Sequence, residues 1–450
     1  MTPRTPVEAL MSGRRQVWAN WAGNQRATPL VAVPESEDDV ARLLVAAREG
    51  GMTVKPVGAG HSFIDVAVTE GVQVRLDRLA GIVTVVQPDE NGVGEVTVRA
   101  GTTIRDLANG LLGRGLALPN LGDIDRQTVA GALGTGTHGT GLRLTGLAAG
   151  VRRLRIALPD GRVVEASPET EPELFQAARI SLGALGIITE VTLGVVPAFL
   201  LRARETPEPL LPLLAAIGSE AERHDHLEFY WFPHTDRVQV KRNDRVEPGT
   251  LRRPVSRWRA RLDDDLLSNR LFERTNRLAT ARPSLTPRIN QVAARALSAR
   301  DYVDHAHRVF VSEREVRFVE SEWAFPRAAL VDVLTELRAW VERSRERLPF
   351  PVEVRVAAAD DVWLSTAYGR ESCYVAVHQY HRLDHRRCFA AFEEIALAHD
   401  GRPHWGKLHT RGTAFFEGAY PRFADFCRVR DAVDPDRVMA NAYTRRVLGD

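Results

Sequence analysis

Glycine is unevenly spread along the 450 residues. From about residue 29 to 197 the chain is rich in Gly and Val, in short apolar runs broken by turns; from about 198 to 403 glycine becomes scarce and arginine rises. Runs punctuated this often by glycine cannot make long helices, because each interior glycine costs roughly 0.5–1 kcal/mol relative to alanine. The first territory reads as short strands and turns with helical patterns between them. The second can carry longer elements. Two textures in one chain of this length read as more than one domain.

In the first territory GEVTVRA at 94–100 alternates like a strand, and RRLRIALPDGRVVEA reads as a hairpin turning at Asp160-Gly161. Helical patterns lie at 37–48, with Ser36 as N-cap, at 104–114 and at 172–180. In the second territory strand-like pieces at 227–231, 315–323, 352–358 and 373–380 alternate with helical patterns at 327–347 and 384–399. Residues 248–300 read as helical or irregular, and 408–450 as a helix-and-loop tail. Mixed strands, helices and hairpins without a repeating βαβ unit predict an α+β fold.

Composition narrows the classes. At 44% hydrophobic and 26% charged the chain is neither disordered nor fibrous, and 60 basic against 58 acidic residues leave no basic excess for nucleic acid. Arg252, Arg253, Arg257, Arg259 and Arg261 are answered by Asp263, Asp264 and Asp265, which reads as a solvated charged face. Three cysteines without a C-x-x-C pair fit a reducing, cytoplasmic setting. No apolar run has the length of a signal peptide or a membrane span. Lysine occurs only at Lys55, Lys241 and Lys407, so 57 of the 60 basic side chains are arginine.

Four motifs carry candidate chemistry. Val57-Gly58-Ala59-Gly60-His61-Ser62-Phe63 follows a strand-like 53–57, and such a loop lets backbone amides approach a phosphate. His61 there could be a ligand, a base or an attachment point. The second is Leu118–Ile124 followed by Thr128–Gly141, in which Gly134, Gly136 and Gly139 match G-x-G-x-x-G. A dinucleotide fingerprint needs a strand before and a helix after it. Here a helix-like stretch precedes, so the match is a decoy, though a small-residue surface against a cofactor remains. Third, Glu353 and Arg355 share one face of a strand by alternation. Fourth, Arg402-Pro403-His404-Trp405-Gly406-Lys407 places an ammonium beside Trp and Gly. His378, His381 and His385 do not converge as metal ligands, and no metal is expected.

In this order VGAGHSF, ALPNLGDID, GTGTHGTG, SLGALGII, VEVR and HWGK resemble the aldonolactone oxidoreductase family of vanillyl-alcohol-oxidase-type flavoproteins. The resemblance runs from Asn20-Trp21-Ala22-Gly23 to Tyr443–Gly449. It implies a two-subdomain FAD-binding domain of the PCMH type at 12–195, an α+β substrate (cap) domain at 196–405, and a segment at 406–450 returning to the FAD domain. It implies FAD bound covalently through His61, with Gly58, Ala59, Gly60, Ser62 and Phe63 in the pyrophosphate loop. Gly122, Asp123, Thr128, Gly131, Thr135, His138, Gly139 and Ile188 would form a second FAD-contacting surface. Glu353 and Arg355 match the substrate-site pair, Lys407 a lysine at the flavin N1 edge, and His378 a substrate-contact position. The implied reaction is oxidation of a sugar 1,4-lactone by hydride transfer to flavin N5. Oxygen would be the acceptor, because Gly122 leaves room beside the flavin. The alternatives are an alditol oxidase acting on xylitol or sorbitol, and a dehydrogenase using another acceptor.

Overall fold

The computed structural model describes residues 15–255, 270–312 and 316–450. Arg257, Arg259, Arg261 and Asp263 to Asp265 lie outside the described residues. Helix Glu37–Glu49 begins at Ser36, whose hydroxyl accepts the Asp39 N–H (3.1 Å) while the Asp39 carboxylate accepts the Ser36 N–H (3.0 Å). That reciprocal capping box satisfies amides the helix itself leaves bare. The hairpin forms as expected: Val151–Ala157 pairs antiparallel with Val163–Ala166, and Gly161 takes the positive φ (+88°) that the turn demands.

Two sheets occupy the glycine-rich territory. A three-stranded parallel sheet runs in the order Leu30–Ala32, Val72–Arg75, Val54–Val57. An antiparallel sheet runs Val163–Ala166, Val151–Ala157, Ile187–Pro197, Gly94–Arg99, Ile82–Val86. One core joins them and takes in Phe416, Phe426, Met439 and Tyr443 from the chain's end. Two multi-donor side chains knit that end to the glycine-rich territory. Lys55, 1% exposed, donates to the carbonyls of Leu182 (3.1 Å), Gly183 (2.9 Å) and Met439 (3.1 Å). Asn441 Nδ2 donates to those of Asp65 (2.9 Å), Val66 (3.1 Å) and Val68 (2.9 Å).

The arginine-rich territory is one eight-stranded antiparallel sheet, ordered Arg300–His305, Leu200–Pro209, Arg237–Arg245, His226–Trp231, Val352–Ala357, Ser372–Tyr380, Phe318–Pro326, Arg402–Pro403. Its apolar face (Phe229, Val240, Val354, Val375) packs on helices Leu210–Arg223, Leu330–Ser344 and Arg386–Ala398. Strand alternation then forces the intervening residues, many of them charged, onto the opposite face. Leu200–Pro209, Arg237–Arg245 and Arg300–His305 are strands that the sequence pattern does not reveal. They carry charges throughout, and Leu200–Pro209 also holds Pro207 and Pro209, which lower strand propensity. The stretch before residue 300, whose pattern is ambiguous, contains helices Arg270–Ala281 and Thr286–Ala296.

A candidate FAD and substrate site between two unlike walls

The first wall is made of backbone. The loop after strand Val54–Val57 lies directly on the start of helix Val129–Gly134, whose N-cap Thr128 accepts the Gly131 N–H (3.2 Å). A Cβ on Gly58 would sit 2.5 Å from Thr128 Oγ1, and one on Gly131 would sit 2.8 Å from the same oxygen. The two segments meet this closely only because both residues are glycine. Gly60 adds a positive φ (+70°) and its carbonyl takes the Trp21 N–H at 2.8 Å. Phe63 N–H donates to Gly406 O at 2.8 Å, tying the loop's far end to the HWGK turn.

A cleft opens above this cradle. It is lined by Gly58, Ala59, Gly60, His61, Ser62, Thr128, Gly131, Thr135 and Ile188, and also by Trp18, Gln127, Ser181, Leu182, Gly183 and Gly186. It continues past His61, Ser62, Gln127 and Thr135 into a second cleft that reaches Phe63, Gly122, Asp123, His138, Glu322, Arg355, His404 and Lys407. Gly139 lies behind, in a small pocket with Asn120, Gly122 and His138. Most of the expected cofactor residues thus line two adjoining clefts that share His61, Ser62, Gln127 and Thr135. The G-x-G-x-x-G run ends a helix and has no strand before it, so it is no dinucleotide fingerprint. A cleft walled by glycine backbone fits a phosphate-bearing cofactor such as FAD.

The second wall is the charged face of the large sheet, and its pattern comes from register. Lys241, Glu228, Arg355 and Tyr374 are successive cross-strand partners in one row, and Tyr230, Glu353, Ala376 and Glu322 in the next. His378 and Glu320 are opposite each other in the third. Arg355 Nε donates to Glu228 (3.0 Å), and its terminal nitrogen pairs with Glu353 and reaches Asp123 (3.5 Å). Lys407 sits between Glu320 (2.6 Å) and Glu322 (3.5 Å), over the Phe63 ring at 5.3 Å. The turn carrying it is stitched to the strand Phe318–Pro326: His404 N–H donates to Glu322 O (3.0 Å) and Leu408 N–H to Glu320 O (2.9 Å).

These charges are held, not merely present. Burial opposes the Arg355 guanidinium, but Glu353, Asp123 and Glu228 together raise it well above its ordinary value. Burial likewise works against the Lys407 ammonium, and Glu320 and Glu322 outweigh it and raise its pKa. Glu322 is held well below the carboxylate range against burial by Lys407 and His138. His61, stacked on Trp21 at 5.7 Å, is pushed down to about 4 by burial, then by Lys407 and Arg126. Its ring is therefore neutral at neutral pH.

Glu353 and His378 stand behind the cleft rather than on its surface. Glu353 acts on it through Arg355; His378 is buried against Phe318 and Phe350, its Nε2 3.6 Å from Glu320 and 3.9 Å from Glu353. Glu228, Lys241, Glu320 and Glu322 join the site without a motif to mark them. Glu320 and Glu322 do leave a signal, since they share one face of a strand-like run just as Glu353 and Arg355 do. His138, Glu322 and His404 bring ligand-type atoms within 4.8 Å of one another, the only such group among the described residues. Those atoms are already engaged: His404 Nδ1 accepts the Gly406 N–H (3.0 Å), His138 Nδ1 meets Gly139 O (2.9 Å), and His138 Nε2 and Lys407 share Glu322. A cation there would face the Lys407 ammonium.

The chain is an FAD-dependent oxidoreductase of the PCMH fold type, and the glycine cradle leading to a charged, buried face is its candidate site. The overall fold agrees: cholesterol oxidase from B. sterolicum superposes with a TM-score of 0.81, at 18% identity over 96% of this chain and 97% of that one. Residues 28–167 match the model of the FAD binding domain, and residues 191–447 that of D-arabinono-1,4-lactone oxidase. The chain belongs to the D-arabinono-1,4-lactone oxidase family. It is 39% identical to L-gulono-1,4-lactone dehydrogenase of Mycobacterium tuberculosis, over 96% of this chain and 99% of that protein. It is 34% identical to L-gulonolactone oxidase of Mus musculus (95% and 97%) and 32% identical to alditol oxidase of a Streptomyces species (95% and 98%). Among the described residues no helix is long and apolar enough to cross a membrane.

Proposed function

We propose that this chain oxidises a sugar 1,4-lactone of the gulono-, galactono- or arabinono- type at a carbinol carbon, with FAD attached through His61. The observation that carries the reading is that His61, at the end of its glycine cradle, lines the same cleft as Arg355 and Lys407. Bound FAD supplies the hydride acceptor. The chain's own residues prepare the alcohol, which is a poor hydride donor until its oxygen gains negative charge. Arg355, oriented by Glu353, polarises and positions that hydroxyl, and Lys407 stabilises negative charge gathering at the cofactor. The neutral His61 ring keeps a nitrogen lone pair for the covalent bond. Gly58 to Phe63 hold the phosphate end, and the segments carrying Gly122, Asp123, Thr128, Gly131, Thr135, His138, Gly139 and Ile188 hold the rest. The division 12–195, 196–405 and 406–450 and a cytoplasmic location complete the proposal.

Oxygen is the proposed acceptor, giving hydrogen peroxide. A methyl on Gly122 would lie 3.1 Å from His138 O and 3.3 Å from Thr137 Cγ2, filling the gap between the two loops. Gly122→Ala should therefore slow reoxidation by oxygen while leaving reduction by lactone in place; equal reoxidation rates count against oxygen entry here. Substrate class is read anaerobically from the loss of flavin absorbance on a panel of lactones and polyols. Bleaching by any of the lactones supports the proposal, bleaching by polyols alone transfers it to alditols, and bleaching by neither class overturns it. His61→Ala should give acid-precipitated protein without yellow colour.

A further inference from the structure

We propose that Glu228 and Lys241 are positioning residues for the oxidation step, fixing the guanidinium plane of Arg355 against the substrate hydroxyl. The proposal rests on Arg355 facing substrate, as argued above. The three side chains are successive cross-strand partners in one register row, with signs plus, minus, plus. Each oxygen of Glu228 has its own cation: Oε1 takes Lys241 Nζ at 2.5 Å, and Oε2 takes Arg355 Nε at 3.0 Å. A carboxylate held at one oxygen can still turn about its last torsion; held at both, it cannot. Arg355 is thereby gripped from behind at Nε, and its terminal nitrogens are left for Glu353, Asp123 and the channel.

The cluster is out of water, with side-chain exposures of 12% for Lys241, 6% for Glu228 and 10% for Arg355. Burial opposes the charge on Lys241, yet Glu228 raises it well above its ordinary value. A buried ion network is weak evidence for stability, because packed apolar residues often replace one at no loss. Its place directly under Arg355 accounts for it better, since a misplacement of about 1 Å near the chemistry can cost roughly a hundredfold in rate. Lysine in a chain of 57 arginines fits this: a compact ammonium satisfies one oxygen without the guanidinium's competing fork.

A double-mutant cycle on the FAD-loaded enzyme tests it, reading the limiting rate of flavin reduction, the apparent lactone Kd, FAD content and Tm. Glu228→Gln should slow reduction by about ten- to a hundredfold, with FAD content retained and the Kd changed less than the rate. In an Arg355→Met background the same change should alter the rate by less than about twofold, because the residue it acts through is gone. Lys241→Met should follow the same pattern and carries the cycle if Glu228→Gln does not fold. Equal fold-losses in both backgrounds, or a single variant reducing within about twofold of the parent, overturn the proposal. An Arg355→Met variant reducing at the parent's rate overturns the site reading itself, and is recognised in that variant alone.

Discussion

The two walls of the channel are built on opposite principles. The cofactor wall works by leaving side chains out: Gly58 and Gly131 bring two backbone segments together where a methyl would meet Thr128 Oγ1 at 2.5 or 2.8 Å. The opposite wall works by packing charges in, with Glu228, Glu320, Glu322, Glu353 and Arg355 all buried. A backbone wall is defined by shape and is indifferent to charge. A side-chain wall on a rigid sheet is defined by charge and register, and keeps its shape when one group is neutralised. Changes of the two kinds should therefore separate cofactor retention from turnover.

The largest separation is expected at Lys407. Lys407→Met removes the ammonium and leaves the backbone wall alone, so FAD should stay bound while flavin reduction slows by roughly a hundred- to a thousandfold, as for loss of one oxyanion-stabilising donor. Glu320 and Glu322 then lose their shared cation, and the Tm should fall with the rate. A variant that instead fails to take up FAD would place Lys407 with the cofactor wall. Next comes the converse change. Gly58→Ala adds a methyl against Thr128, which is fixed as an N-cap, so the flavin-free protein's affinity for FAD before attachment should drop by about tenfold, the equivalent of roughly 1.4 kcal/mol. Whatever flavin is retained should be reduced near the parent's rate, and a slow but fully loaded Gly58→Ala enzyme would erase the distinction. Lys407→Arg is milder. The charge is kept but spread over a planar fork that cannot sit between Glu320 and Glu322 in the same way, and a loss of about tenfold in reduction rate is expected. An unchanged rate would mean that the charge alone matters there.

The same contrast decides which parts of the site are legible in the amino-acid sequence. The cofactor wall is legible because its chemistry is local: Gly58 to Phe63 are consecutive, and the glycines announce a tight approach by their identity. Glu353 and Arg355 are legible because a period of two needs only one strand. Glu228 and Lys241 are not, since their meaning lies in a register joining Glu228 to Arg355 across 127 positions of sequence. The strands that carry the register outward, Leu200–Pro209 and Arg300–His305, look like loops because charge and proline mask their alternation. The three lysines tell the same story. Lys55 ends on three carbonyls, Lys241 on Glu228 and Lys407 on Glu320 and Glu322, so every lysine of the chain ties one segment to another, across 127 to 384 positions for Lys55 and across 13 for Lys241.

The smallest expected effect lies where the walls meet, at His61. Burial, Lys407 and Arg126 hold its pKa at about 4 in the fold, against about 6.5 in an unfolded chain. Between those values the unfolded chain binds a proton that the folded chain refuses, so stability rises with pH across the window and is lost as pH falls from about 6.5 towards 4. His404, at about 3, and His234, at about 4, are lowered by burial too and share this slope, so only a difference isolates His61. Flavin-free parent protein should therefore lose Tm more steeply than flavin-free His61→Gln between about pH 6.5 and 4.5, by a few degrees at most. Salt should reduce the gap only slightly, because desolvation, not long-range charge, is its main cause. Parallel Tm profiles for the two proteins would mean that His61 is solvated in the free cleft, and that the neutral ring required for covalent attachment is not prepared by the fold.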